Sequence, residues 1–162
     1  RARKEVGELG QRWGSGEIVI SEVRLLDGSG DPVMTPTTMD PLTIAVQLDT
    51  HMPIHDAVVT VGIDTLAGHP VWSSSTRRNQ LSLGVIDSRA QVEIAIPHIP
   101  LLEGVYDLTV AVTDSTEMHP YDHWDKRVRF EVKQFRVYDA GVVHIAAAWR
   151  ATGTRGALEG QG

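Results

Sequence analysis

Gly104-Val105-Tyr106-Asp107-Leu108-Thr109-Val110-Ala111-Val112 is the stretch that decides the fold. Tyr106, Leu108, Val110 and Val112 alternate with Asp107, Thr109 and Ala111, the two-residue period that sets one face of a β-strand on a core and the other toward water. A tyrosine at the mouth of such a strand, just after a glycine turn, is the pattern of a tyrosine corner. The phenol bonds back to the backbone of the preceding loop and pins a crossover between two sheets.

The same rhythm runs outward in both directions. Leu42, Ile44, Val46 and Leu48 alternate with polar or small residues, as do Val59, Val61 and Ile63, then Val92, Ile94 and Ile96, and finally Val128, Phe130 and Val132. Glu17–Leu26 changes phase, with Ile18 and Ile20 on one parity and Val23 and Leu25 on the other, which predicts a bulge near Ser21. A weaker strand is expected over Pro70–Thr76. Turn chemistry separates these runs at Asp27–Pro32, His51–Pro53, Ala67–Pro70, Pro97–Pro100 and His119–Asp122. No stretch of the body keeps a 3.6-residue period for three turns. Seven short strands, each with an apolar and a polar side, imply an all-β, immunoglobulin-like antiparallel β-sandwich. The expected organisation is a linker over 1–12, the sandwich over 13–149 and a disordered tail over 150–162.

Composition narrows the function. The 162 residues include no cysteine, which removes disulfide scaffolds, thiolate metal sites and cysteine nucleophiles. Between Trp13 and Trp149 there are 9 basic and 18 acidic residues, a net charge near −9, and no Lys or Arg occurs from Leu25 to Thr76. Such a surface repels phosphate backbones and anionic lipid, so neither nucleic acid nor a membrane surface is an expected partner. The uncharged runs Thr65–Thr76 and Ala140–Trp149 are too short to span a bilayer as helices. The chain's abrupt start, with no initiator Met and no secretory signal pattern, reads as that of a piece of a longer protein.

The candidate chemistry is binding, not catalysis. His51 and His55, and His119 and His123, are spaced four apart, but the prolines between or beside them place them in turns, where such side chains bond local backbone. No metal ligand is assigned. Asp64, Asp107, Asp114, Asp122 and Asp125 supply carboxylates that any acidic sandwich would carry. Neither a Gly-x-Ser-x-Gly elbow nor a phosphate-binding Gly-x-x-x-x-Gly-Lys-Ser/Thr loop is present, so no catalytic residue is assigned. In an immunoglobulin-like arrangement, Val58–Leu66, Pro70–Thr76, Tyr106–Asp114 and Lys126–Val132 share one sheet. Its outward positions are Thr60, Asp64, Ser74, Asp107, Thr109, Arg127 and Arg129, with Trp72 either among them or in the core. An aromatic among hydroxyls, carboxylates and guanidinium groups is how sugars are held: the ring stacks on the apolar pyranose face and planar polar groups take its hydroxyls. Arg77 and Asn79 follow as a rim. The apolar Gly141-Val142-Val143-His144-Ile145 and Trp149 lie beyond the seventh strand, so they either fold back or pair with another chain.

Several pieces in order resemble a known family, the C-terminal domain of Wzt, the nucleotide-binding subunit of ABC transporters that export O-antigen polysaccharide. They are Arg12-Trp13-Gly14-Ser15-Gly16-Glu17-Ile18, then Ile20–Asp27, Glu103–Val112, Pro120-Tyr121-Asp122-His123-Trp124-Asp125 with Val128–Val132, and Gly141–Ile145 followed by Trp149. The resemblance implies a non-catalytic polysaccharide-binding domain, part of a homodimer whose last strand (Gly141, Val142, Val143, His144, Ile145, with Trp149) is exchanged between protomers. It implies a sheet-face groove that selects lipid-linked polysaccharide for export. It further implies a cytoplasmic place, peripheral to the inner membrane, with a permease reached through an upstream ATPase domain, and no cofactor in this piece. The sequence departs from the family at Ala146-Ala147-Ala148, where a proline is expected. Two other functions suit the same residues: a structural, dimerising sandwich without glycan binding, or an accessory module of a glycan-processing enzyme.

Overall fold

The computed structural model describes residues 10–156. They hold ten strands and no helix: β1 (Gln11–Trp13), β2 (Ile18–Leu26), β3 (Leu42–Thr50), β4 (Ile54–His55), β5 (Val58–Thr65), β6 (Pro70–Ser75), β7 (Val85–Ile86), β8 (Arg89–Ile96), β9 (Gly104–Thr113) and β10 (Pro120–Val132). The paired strands are antiparallel and form a five-stranded sheet, β1-β10-β9-β5-β6, a three-stranded sheet, β2-β3-β8, and a short β4-β7 pair. The two larger sheets pack over a single apolar layer, the expected immunoglobulin-like sandwich.

The alternation builds that layer. Ile18, Ile20, Ile44, Val46, Leu48, Leu108, Val110 and Val112 have essentially no solvent exposure. In β2 the register slips between Ile20 and Glu22, which places the expected bulge at Ser21 and returns Val23 and Leu25 to the face of Ile18 and Ile20. Tyr106 is buried, and its hydroxyl donates to the Leu102 carbonyl at 2.7 Å, closing the tyrosine corner. Burial also raises its pKa.

Three expected boundaries are corrected. Gln11 and Arg12, read as linker, belong to β1, because Gln11 and Arg12 pair with Asp125 and Trp124; residues 1–9 of that linker lie outside the described residues. Pro120–Asp122, read as a turn, begins β10, since proline is tolerated as the first residue of a strand. The reversal instead occupies Asp114–His119, where Glu117 takes a left-handed φ of 62° and Asp114 N–H donates to the His119 carbonyl. Lastly, Gly141–Ile145 makes only one bridge, Val143 to Leu101, although Leu102 N–H donates to Val142 O at 2.8 Å and His144 N–H to Pro100 O at 2.7 Å. Of the expected tail, residues 150–156 carry no strand or helix and 157–162 lie outside the described residues.

The two long sides of the sandwich differ. On one side β1 and β10 meet β2: the Asp122 carboxylate accepts from Arg12 Nε (3.0 Å), Arg12 Nη2 (2.6 Å) and the Ile20 N–H (2.8 Å). Gly14, at φ 144°, passes so close to the Tyr121 backbone that a Cβ would collide with its carbonyl. On the other side β6 and β8 each end a sheet and do not bond to one another, leaving an open cleft.

Candidate functional site

The outer face of the five-stranded sheet carries its polar side chains in three rows, fixed by register. Trp13, His123, Ala111, Thr60 and Ser75 lie opposite one another across β1, β10, β9, β5 and β6. Thr109, Gly62 and Ser73 form the next row, and Arg129, Asp107 and Asp64 the third. Rows two residues apart are separated by about 7 Å along the strands, and neighbouring strands by about 4.8 Å. A band of small residues therefore lies between an aromatic corner and a charged end.

The charged end is ordered by its own pairing. Arg129 Nε and Nη2 donate to the Asp107 Oδ1 and Oδ2 at 2.8 and 3.2 Å, a two-pronged pair that leaves guanidinium N–H groups free. That hydrogen bonding raises the Arg129 pKa. Lys126 Nζ stands 3.9 Å from Asp64, and its backbone N–H donates to Thr109 Oγ1 at 3.0 Å. This geometry follows from a bulge in β10: register passes from Trp124↔Val110 to Val128↔Leu108, and Lys126 adopts a φ of 56°. Each cation in this row has a carboxylate, so the face presents directional donors and acceptors with little net charge.

At the aromatic corner, the Trp13 and His123 rings stack at 4.1 Å and 11°, with Trp13 45% exposed. Burial lowers the His123 pKa, opposed by Asp125 and Asp122. With the folded-state value depressed, the unfolded chain takes up the proton first as the pH falls. Stability is therefore expected to be complete above about pH 6.5 and to decline below it. His123→Phe, which keeps a ring against Trp13, should flatten the fall of the thermal midpoint as the pH drops below about 6.5. An unchanged slope in that variant would show that His123 is not its source.

The structure divides the residues expected on one face. Thr60, Asp64, Asp107, Thr109 and Arg129 do share it. Trp72 and Ser74 do not, because they pair with Ile63 and Val61, whose side chains are in the core. The physical reason is a bulge at Val71: Asp64 opposes Pro70 while Ile63 opposes Trp72, which reverses the parity of β6. Trp72 thus stands at the open cleft with Ser74, whose Oγ accepts from Asn79 Nδ2 at 2.9 Å. Arg77 turns away to Glu117, 3.4 Å distant. Arg127 lies within the bulge, where it pairs with no residue of β9, and its guanidinium stands over the Trp124 indole at 5.4 Å, away from the row expected for it. Trp13, by contrast, is a candidate that strand patterning did not single out. Its Arg-Trp-Gly context shows no alternation, and only the pairing of β1 with β10 brings it to the face. Among the described residues no three metal-ligating side chains converge.

The family model described as the Wzt C-terminal domain matches residues 10–145. A crystal structure of the C-terminal domain of Wzt superimposes with a TM-score of 0.78 at 15% identity, over 92% of this chain and 93% of that one. An alkylpurine DNA glycosylase, AlkC, from Pseudomonas fluorescens, bound to DNA containing an abasic site analogue, reaches a TM-score of 0.46 at 12% identity, over 73% of this chain and 31% of that one. A CARDB domain from Pyrococcus furiosus, in complex with di-metal ions, reaches 0.42 at 11% identity, over 72% and 96%. No curated protein sequence matches the chain.

Proposed function

Because the chain belongs to the Wzt C-terminal domain family, and so is a polysaccharide-transporter-associated domain, we propose that it is a non-catalytic module that binds the exported glycan. In this reading the outer face of β1-β10-β9-β5-β6 holds an O-antigen-type polysaccharide and selects lipid-linked chains for an ABC exporter. The domain acts on the cytoplasmic side, peripheral to the inner membrane, coupled to the permease through an ATPase domain. The observation that carries the reading is the three-row face. A ring stack at one end, a floor of Thr, Gly, Ala and Ser, and an oriented Arg129–Asp107 pair at the other match a sugar's alternation of apolar C–H faces and equatorial hydroxyls. The paired charges favour a mostly neutral glycan.

The proposal includes a homodimer formed by exchange of residues 141–149. Support comes from Gly141 at φ 115°, a hinge-competent position, and from exposed Ile145 and Trp149 beyond it. The bonds that Val142 and His144 make to Leu102 and Pro100 within one chain can form equally between two. A purely monomeric sedimentation profile would remove this part of the proposal.

Calorimetric titration with lipid-free polysaccharide from the organism that carries this chain tests the rest. Binding is expected, and Trp13→Ala should weaken it about fivefold, since an aromatic contact contributes on the order of 1 kcal/mol. Its thermal midpoint should change little because the ring is half exposed. Absence of binding would leave a structural sandwich as the better reading, and full affinity in the Trp13→Ala variant would remove the sheet face as the site.

A further inference from the structure

We propose that the cleft between β6 and β8 is a second carbohydrate site, distinct from the sheet face, which takes one uncharged pyranose ring against Trp72. The cleft exists because the sandwich is closed along only one side, by the Arg12–Asp122 clamp. It encloses about 400 Å³, within the range of small-molecule sites. Val61, Val92, Ile94 and Ile96 form an apolar floor and Trp72, 38% exposed, forms one wall.

Polar groups line the same cleft as the indole. Asn79 Nδ2 donates to Ser74 Oγ at 2.9 Å and to the Ser75 carbonyl at 2.7 Å. These bonds engage both amide protons and orient the group, leaving Oδ1 as an acceptor for a ligand hydroxyl. Ser74 Oγ, already accepting, has its own proton to donate. The rims are strand edges that lack a neighbour on this side, so backbone N–H and C=O groups border the cleft as well. No Lys or Arg lines it, and Glu93 is its one charged residue. An anionic ligand would find no counter-charge there, whereas a neutral sugar finds a ring to stack on and uncharged partners for its hydroxyls. The bulge at Val71 creates this arrangement: without it Trp72 and Ser74 would point to the outer face.

The ligand class follows from the cleft's own chemistry, so this site and the sheet face succeed or fail separately. The test is a ¹H–¹⁵N NMR titration of the full chain with the methyl glycosides of glucose, galactose and mannose, into the millimolar range. The expected result is saturable movement of the Trp72 indole N–H and of the Ser74, Asn79 and Ile94 amides with at least one glycoside. Trp72→Ala should weaken that binding about tenfold, and Trp72→Phe should restore part of it. Should Trp72→Ala lose its native amide dispersion, Asn79→Ala, at an exposed position, replaces it and is expected to weaken binding measurably. Shifts confined to Thr60, Thr109 and Arg129, or no shift in the cleft with any of the three glycosides, would overturn the proposal. The first of those results would leave the sheet-face reading standing.

Discussion

Asp122→Ala is expected to destabilise the domain by about 3 kcal/mol, with a fall of roughly 10 °C in the thermal midpoint. The carboxylate is 5% exposed and accepts three hydrogen bonds, two from Arg12 in β1 and one from the Ile20 N–H in β2. It therefore joins the edge of one sheet to the other at the closed side of the sandwich. Removing it leaves the Ile20 N–H, on a residue only 1% exposed, without an acceptor. Arg12 suffers less. Its side chain is 36% exposed, it keeps a 3.2 Å bond to the Ile20 carbonyl, and its guanidinium still lies 5.2 Å from the Trp124 ring. Most of the loss thus belongs to the orphaned amide and to the cavity, and Asp122→Asn, which retains an acceptor for Ile20, should recover about half. Urea unfolding at constant m-value measures both. A cost under about 1 kcal/mol for the alanine variant would show that the clamp is a rim contact and not a tie between sheets.

That clamp also marks where sequence reading stops. The sandwich was legible because period-two alternation depends on nearest neighbours along the chain, and because a tyrosine corner and a phase slip at Ser21 are local patterns. The inward set on β2, β3, β5 and β9 follows from these alone. Asp122 shows none of this. It sits in a Pro-Tyr-Asp-His stretch whose turn-forming residues outweigh its parity, and its burial is explained only by partners far along the chain, Arg12 at 110 residues and the Ile20 N–H at 102. A three-residue strand such as β1 is too short to display a period at all.

The site was half legible for a related reason. Thr60, Asp64, Asp107, Thr109 and Arg129 lie on uninterrupted alternating runs, so their shared face could be read directly. On β6 a single extra residue, Val71, moved Trp72 and Ser74 to the other side. A bulge between two strands costs little and leaves no mark in a serine-rich run, whereas at Ser21 the apolar residues on both sides revealed it. The consequence is larger than one misplaced tryptophan. It separates a polar sheet face from an aromatic cleft and divides residues expected on one face between two surfaces.

Arg129→Ala is expected to cost about 2–4 kcal/mol, and more than Asp107→Ala does, although both remove the same pair. The two ends of the pair are unequally wet: the Asp107 side chain is 5% exposed and that of Arg129 40%. Without Asp107 the guanidinium turns to water, and a loss of about 1 kcal/mol is expected. Without Arg129 the carboxylate remains buried with no cation of its own. It would also face Asp64, its cross-strand neighbour, whose own partner Lys126 is 3.9 Å away. Like charges directly opposite on paired strands repel. The double variant should therefore be more stable than Arg129→Ala alone, a reversal that a double-mutant cycle in urea reads directly. Glycan binding supplies a second axis. If the free N–H groups of Arg129 contact sugar hydroxyls, Arg129→Ala and the double variant lose affinity together even though their stabilities differ. If the pair serves only the fold, affinity will track stability and recover in the double variant. Asp107→Ala proving as costly as Arg129→Ala would contradict the burial asymmetry from which the whole ordering follows.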